Sequence, residues 1–251
     1  MSSHRIWTQG PMTIGALVKL NGEEAQRMRK VLRLGAGDRV ILVDATGMEG
    51  EAEVVDVSSE AIALGVVRVW ETHRESPLWV RLIQAVPKGD KMALVVQKAT
   101  ELGVQEVAVL LAQRSVPQWG GGDGAGRMRR WRRVIHEAAR QSGRTWIPSL
   151  TGPWNLEDLC ESLAEREGLK LVLWEGEEGR GLREALGEKD RQIREIWIAV
   201  GPEGGFEEAE VRRLERAGFR SVRVGPRILR TETAGPAAVA ILQYLYGDLG
   251  Q

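Results

Sequence analysis

Ile198-Ala-Val-Gly-Pro-Glu-Gly-Gly-Phe206 and Val224-Gly-Pro-Arg-Ile-Leu-Arg-Thr-Glu-Thr-Ala234 decide how this chain is read. Each runs from an apolar, β-like stretch into a loop marked by glycine or threonine and then into a helical pattern. Such loops open at the C-terminal edge of a parallel sheet, where α/β proteins place their ligands. Two of them so close together predict a single pocket.

Working outward, strand and helix patterns alternate from Leu78 onward, the signature of a parallel sheet with crossover helices. The strands expected are Trp79–Ala85, Glu106–Leu111, Leu169–Trp174, Glu195–Val200 and Ser221–Val224. The helices expected are Asp90–Leu102, Arg127–Ser142, Asn155–Glu167, Gly181–Leu186, Glu207–Ala217 and Thr233–Tyr246. Gly103, Gly143, Gly168, Gly218 and Gly247 stand where helices stop. Gly120–Gly126 reads as a flexible loop.

Residues 1–74 follow a different rhythm. Arg39–Val43, Glu51–Val57 and Ala61–Val69 are β-branched runs separated by turn material, with a short helix over Glu23–Leu32. This half reads as a small β domain, and Glu71–Pro77 as its linker to an α/β domain over residues 75–251.

A chain of 251 residues that is 43% apolar and 28% charged can bury a substantial core. No apolar stretch approaches the ~18 residues of a membrane span, and the first residues lack a signal-type apolar region. A single cysteine, Cys160, on an amphipathic helix, reads as a packing residue and fits a reducing cytoplasm. His4, His73 and His136 match no metal spacing, so no metal is expected. The 35 basic and 35 acidic residues cancel, which argues against a generic polyanion binder but not against a local patch. One such patch is evident. Arg127, Arg129, Arg130, Arg132, Arg133, Arg140 and Arg144 face only Glu137 as acid compensation between Arg127 and Arg144. Arg129, Arg133, Arg140 and Arg144 fall roughly on one face at helical spacing, with Trp131, Val134, Ile135 and Ala138 on an apolar side, and so little acid compensation favours phosphate contact.

Gly201-Pro-Glu-Gly-Gly205 alone has the look of a phosphate cradle. Glu203, Glu207 and Glu208 nevertheless crowd the helix start, complementing its dipole and repelling phosphate. Neither a Walker lysine nor a G-x-G-x-x-G spacing is present. A ligand with little negative charge, held by backbone amides, suits this loop better. The second loop adds a cation, an anion and two hydroxyls in Arg230-Thr-Glu-Thr233. One helix cap needs one hydroxyl and no arginine, so the pair of loops reads as a ligand site.

These two motifs, with Lys98-Ala-Thr-Glu-Leu-Gly-Val104, Glu137-Ala-Ala-Arg-Gln-Ser-Gly-Arg144 and Val31-Leu-Arg-Leu-Gly-Ala-Gly-Asp38, closely resemble the ribosomal RNA small subunit methyltransferase E family. The resemblance runs from Arg5 to Gly250. It implies a PUA-like N-terminal β-barrel domain and a C-terminal SPOUT α/β domain with a deep trefoil knot. It further implies a homodimer that uses S-adenosylmethionine to methylate N3 of a uridine in 16S rRNA, within the 30S subunit. Under it, Gly201, Pro202, Glu203, Gly204 and Gly205 line the cofactor with Leu229, Arg230, Thr231 and Thr233. Trp174 and Glu175 form a third wall, the other reading of Trp174 being a strand-end core residue. S-Adenosylmethionine carries a sulfonium and no phosphate, which suits an acid-flanked loop. Methylating uracil N3 requires an unpaired or flipped base that loses a proton. Arg230 would then stabilise the uracil anion, and Glu232 would position it or accept the proton; the alternative is that Glu232 only pairs with Arg230.

RNA contacts are expected from Arg129, Arg133, Arg140, Gln141 and Arg144, and from Arg33 and Arg114. Arg27 stands where many relatives carry histidine, so RNA contact remains open there and an imidazole role does not. Two other readings stay open. One is a related SPOUT enzyme acting on a ribose hydroxyl or a tRNA base. The other is a non-catalytic ribosome-assembly factor, against which the two intact loops count.

Overall fold

The computed structural model describes residues 4–8, 10–115, 124–186 and 193–250. They fall into two compact units: Met1–Arg74 with Gly143–Trp146, and Glu75–Ser142 with Ile147–Gln251.

The first unit is a five-stranded sheet in the order β1-β3-β4-β5-β2, with β1 Arg5–Trp7, β2 Leu17–Asn21, β3 Arg39–Val43, β4 Glu49–Val57 and β5 Ala61–Trp70. Helix α1, Gly22–Lys30, follows β2. Only the β1–β3 pair is parallel. Alternating Leu42, Ala52, Val54, Ile62 and Leu64 point inward onto Ile6 and Met28, as a sheet with one buried face requires. Register shifts between β4 and β5 at Glu51/Ala52 and Val54/Asp56 bend the hairpin. Sequence periodicity found β3, β4, β5 and α1 but not β1, which is only three residues long, nor β2, whose residues are mostly exposed and carry no clear apolar alternation.

The second unit is a six-stranded, all-parallel sheet in the order β11-β9-β10-β6-β7-β8. Its strands are β6 Trp79–Ala85, β7 Glu106–Leu111, β8 Ser149–Asn155, β9 Leu169–Leu173, β10 Glu195–Val200 and β11 Arg220–Val222. Its helices are α2 Lys91–Glu101, α3 Gly124–Gln141, α4 Leu156–Leu163, α5 Leu182–Ala185, α6 Glu208–Arg216 and α7 Thr231–Tyr246. Two cores lie on the two faces. Val80, Leu82, Val107, Val109, Ile196 and Ile198 join the residues of α2, α3 and α7. Their strand neighbours Ile83, Ala85, Ala108, Leu110, Trp197 and Ala199 join those of α4 and α6.

Three sequence expectations are corrected here. Edge strand β8 was not foreseen, because Gly152-Pro153 interrupts it and such residues mark loops more often than strands. Helix α3 begins at Gly124, so Gly124, Ala125 and Gly126 are its first turn rather than loop; residues 120–123 of the expected loop lie outside the described residues. Helix α7 begins at Thr231, not Thr233, so the whole Thr-Glu-Thr triplet is helical.

The N-terminal edge of this sheet is closed by Arg81. Its guanidinium lies 4.5 Å from the Trp197 ring centroid and 5.6 Å from that of Trp79, and it pairs with Glu106 at 3.3 Å and with Glu195. One cation thus ties β6, β7 and β10 at the end opposite the loops described below. Arg81→Ala is expected to leave two half-buried carboxylates beside indole and to lower stability by about 2–3 kcal/mol. A denaturant titration that moves the midpoint by less than a quarter of that would show the cluster to be ornamental.

Candidate functional site

At the opposite, C-terminal edge, four segments enclose a cavity of 480 Å³. That volume lies in the range of roughly 300–1,000 Å³ common for small-molecule sites. The segments are the loop after β10, the loop after β11 with the first turn of α7, the loop after β9, and the start of α2.

The β10 loop folds tightly because glycine allows it. Gly205 takes φ +67° and its N–H donates to the Pro202 carbonyl at 3.0 Å. A Cβ on Gly201 would stand 2.9 Å from the Phe206 nitrogen and 3.0 Å from the Gly205 carbonyl carbon, so this turn closes only over glycine. The loop is then tied to α7. The Thr231 hydroxyl donates to the Gly201 carbonyl at 2.6 Å and accepts from Gln84 Nε2 at 2.9 Å. Gln84, at the end of β6 and fully buried, also donates to the Ala85 carbonyl.

Charge is arranged around this frame. Lys91 Nζ lies 2.8 Å from Glu203 and 3.5 Å from Glu232, joining a carboxylate from each loop. Burial alone would raise the Glu203 carboxyl; hydrogen bonds from Lys91 Nζ and the Lys88 N–H outweigh it and hold the group below its ordinary value. The same hydrogen bond raises Lys91. Arg230 is 4.0 Å from Glu232, its side chain 81% exposed against 14% for the carboxylate. Glu232 is therefore closer to Lys91 than to Arg230. In the β9 loop, Glu177 accepts from Ser221 Oγ at 2.5 Å and from the N–H groups of Gly179 and Arg180. The Ser221 bond is the main reason its carboxyl stays below the ordinary value.

Of the residues expected at the ligand, Trp174, Glu175, Gly201, Pro202, Glu203, Gly205, Leu229, Arg230 and Thr231 line the cavity. Gly204 and Thr233 do not. The Gly204 carbonyl instead accepts from Arg114 at 2.7 Å, and Thr233 is exposed in the first turn of α7. Lys91, Gln84 and Glu177 escaped the sequence reading. Pro87-Lys-Gly-Asp90 leaves β6 at the same sheet edge, and that placement was the signal available for Lys91.

The arginine cluster is less free than its composition implied. Arg130 pairs with Asp90 at 2.6 Å, Arg140 with Glu137 at 2.6 Å, and Arg132 reaches the Leu150 carbonyl. Arg144 is buried, so its guanidinium is not at the surface, and it belongs to the first unit. Arg129 and Arg133 are exposed on α3; Arg133 and Gln141 border a groove with Lys98 of α2. Arg114 braces the β10 loop through Gly204 and Glu207. In the first unit, Arg27 pairs with Glu24 at 3.7 Å, and Arg33 is exposed with φ +55°.

A parallel sheet with a preformed cavity of this kind has known counterparts. Residues 74–243 match the RNA methyltransferase domain family and residues 20–67 the RNA methyltransferase PUA domain family. The fold class is thus that of an RNA methyltransferase with a PUA-like domain. Ribosomal RNA small subunit methyltransferase E of Bacillus subtilis is 31% identical over 90% of this chain and 89% of its own length. The protein of that name from Mycobacterium tuberculosis is 33% identical over 90% and 85%. A Legionella pneumophila methyltransferase solved with bound S-adenosylmethionine superposes with TM-score 0.86 at 33% identity, covering 99% of this chain and all (100%) of the other. The Neisseria gonorrhoeae small subunit methyltransferase E, bound to the same compound, gives 0.85 at 30% identity over 98% and 99%. The chain belongs to the ribosomal RNA small subunit methyltransferase E family.

Gly201→Ala tests the tight turn directly. Overlap with backbone has no soft neighbour to absorb it, so stability should fall by about 1–3 kcal/mol. Hydrogen exchange should accelerate at Gly205 and Phe206 and not in β7. Unchanged exchange at those two amides would mean the turn accommodates a side chain.

Proposed function

We propose that this chain methylates N3 of a uridine in 16S rRNA within the 30S subunit, using S-adenosylmethionine. The observation that carries the reading is the pairing of a glycine-built, acid-flanked cavity with an arginine and a carboxylate on the adjoining helix turn. The fit to the cofactor is chemical. Glu175, Glu177, Glu178 and Glu203 border the cavity and suit a cation, and the Gly201–Gly205 and Leu229–Thr233 backbones offer amide and carbonyl groups for a neutral purine. When bound, S-adenosylmethionine supplies an electrophilic methyl group on a sulfonium. Trp174 and Glu175 add a wall to the place that would hold it.

The remaining work falls to the chain's own side chains. Arg230, held out in water at the mouth, stabilises negative charge on the uracil ring. Glu232, kept beside Lys91, holds the base or accepts the N3 proton. Arg129, Arg133 and Gln141 on α3, with Arg27 and Arg33 of the first unit, contact RNA. The first unit acts as the PUA-like RNA-binding domain (residues 1–74), the second as the SPOUT catalytic domain (residues 75–251), in the cytoplasm. The back-crossing of Val224–Arg230, from β11 beyond β9 to a helix packed on β6 and β10, supports the trefoil knot of that fold. An experimental chain trace through residues 169–246 tests the knot.

Labelled S-adenosylmethionine and 30S subunits lacking the modification test the activity, with the product nucleoside identified by mass spectrometry. We expect 3-methyluridine in 16S rRNA; a ribose-methylated product, or methylated tRNA in its place, would move the chain to a different SPOUT specificity. Glu232→Gln should lower turnover at saturating substrate by about 100-fold with little change in cofactor affinity. Wild-type turnover in that variant would remove the base role.

A homodimer accompanies this reading. Ile241, Tyr244 and Leu245 share an exposed apolar face of α7, where the sequence carries no basic residue. Leu245→Glu should convert a dimer to monomer in light scattering; an unchanged mass would place the interface elsewhere.

A further inference from the structure

Between Arg220 and Arg230 the sequence carries four arginines and no acid. Arg220 is engaged, donating to the Ala185 carbonyl at 2.9 Å. The other three are not neutralised in the same way. Arg223 and Arg227 are exposed and have no ion-pair partner among the described residues. Arg230 has only the distant Glu232. All three border the cavity mouth. The opposing charge sits on the β9 loop, in Glu175, Glu177 and Glu178, so the rim is neutral in sum and segregated in space.

This basic lip is anchored at both ends. The Arg223 N–H donates to the Arg180 carbonyl and its own carbonyl accepts from Leu182, a parallel bridge outside the main sheet. At the other end Thr231 is tied to Gly201. Gly225, at φ +74°, and Pro226 turn the chain between them. Ile228, between Arg227 and Leu229, borders the cavity mouth and is 82% exposed. A β-branched side chain on an anchored loop has few rotamers to lose on contact.

We propose that the Arg223–Arg230 lip is the docking surface for the substrate RNA strand. Arg223 and Arg227 hold the phosphates flanking the target nucleotide, and Ile228 enters the base stack at the gap left when that nucleotide turns into the cavity. The proposal rests on the RNA methyltransferase reading above. Its chemistry is general. Phosphates are met by unneutralised guanidiniums, and apolar wedges between arginines unstack bases. A base that is to react at its pairing edge must leave the stack. A second copy of this chain suits the lip less well than it suits the uncharged strip on α7, because it would bury Arg223 and Arg227, which have no ion-pair partner among the described residues.

The test uses the full chain and unmodified 30S subunits. Association is measured across a salt series, methyl transfer at saturating 30S, S-adenosylmethionine affinity by calorimetry and mass by light scattering. In R223Q/R227Q the slope of log K against log salt should become shallower by about 1–2, the value for two phosphate contacts. In Ile228→Ala the slope and the cofactor affinity should stay as in wild type while transfer slows about tenfold or more, and Ile228→Leu should restore most of it. An unchanged slope in the double variant overturns the phosphate contacts. Weakened cofactor binding or an altered mass in Ile228→Ala overturns the wedge, making Ile228 a cavity wall or a protein contact. If wild type binds 30S subunits but transfers nothing, the methylation reading fails, and the slope still decides the lip.

Discussion

One hydroxyl group joins the parts of this site. Thr231 Oγ gives its proton to the Gly201 carbonyl and takes one from Gln84, so three segments far apart in sequence meet at a single buried atom. The fold gains something from the geometry these two bonds secure. What it gains here is the position of α7. With Thr231 fixed, Glu232 falls beside Lys91 and Arg230 falls at the rim.

Much of this was legible in the sequence, for reasons that differ by element. The strands β6, β7, β9 and β10 announced themselves because burial on both faces demands continuous apolar runs, and the α/β order implied that their following loops share an edge. The two loops were readable because glycine and threonine have few structural reasons to cluster so. Gln84 was not, since a glutamine ending an apolar strand resembles any polar strand end. Lys91 was hidden among ordinary helix-start residues, and its partners come from residues more than a hundred positions away. The pairing of the α3 arginines was not legible. Composition counts charges but not the carboxylates that other elements bring to them, such as Asp90 to Arg130.

The sheet uses charge differently at its two edges. At the N-terminal edge Arg81 is enclosed by indole rings and two acids, a closed cluster that serves packing. At the C-terminal edge the acids and arginines sit on separate loops around an open mouth. Opposite charges that could have paired across the rim are held apart by other hydrogen bonds, with Glu177 turned onto the Ser221 hydroxyl and the Gly179 and Arg180 amides. That separation is the electrostatic character of the site, and it arises from local hydrogen bonding rather than from net composition.

Glu177, Glu203 and Thr231 are bonded to other parts of the protein, so these walls are braced by the chain's own contacts. The entropy of ordering them is charged to folding and not to ligand capture. A site braced in this way needs little rearrangement to admit a small ligand, so the encounter should run as a single bimolecular phase, without a slow isomerisation following it.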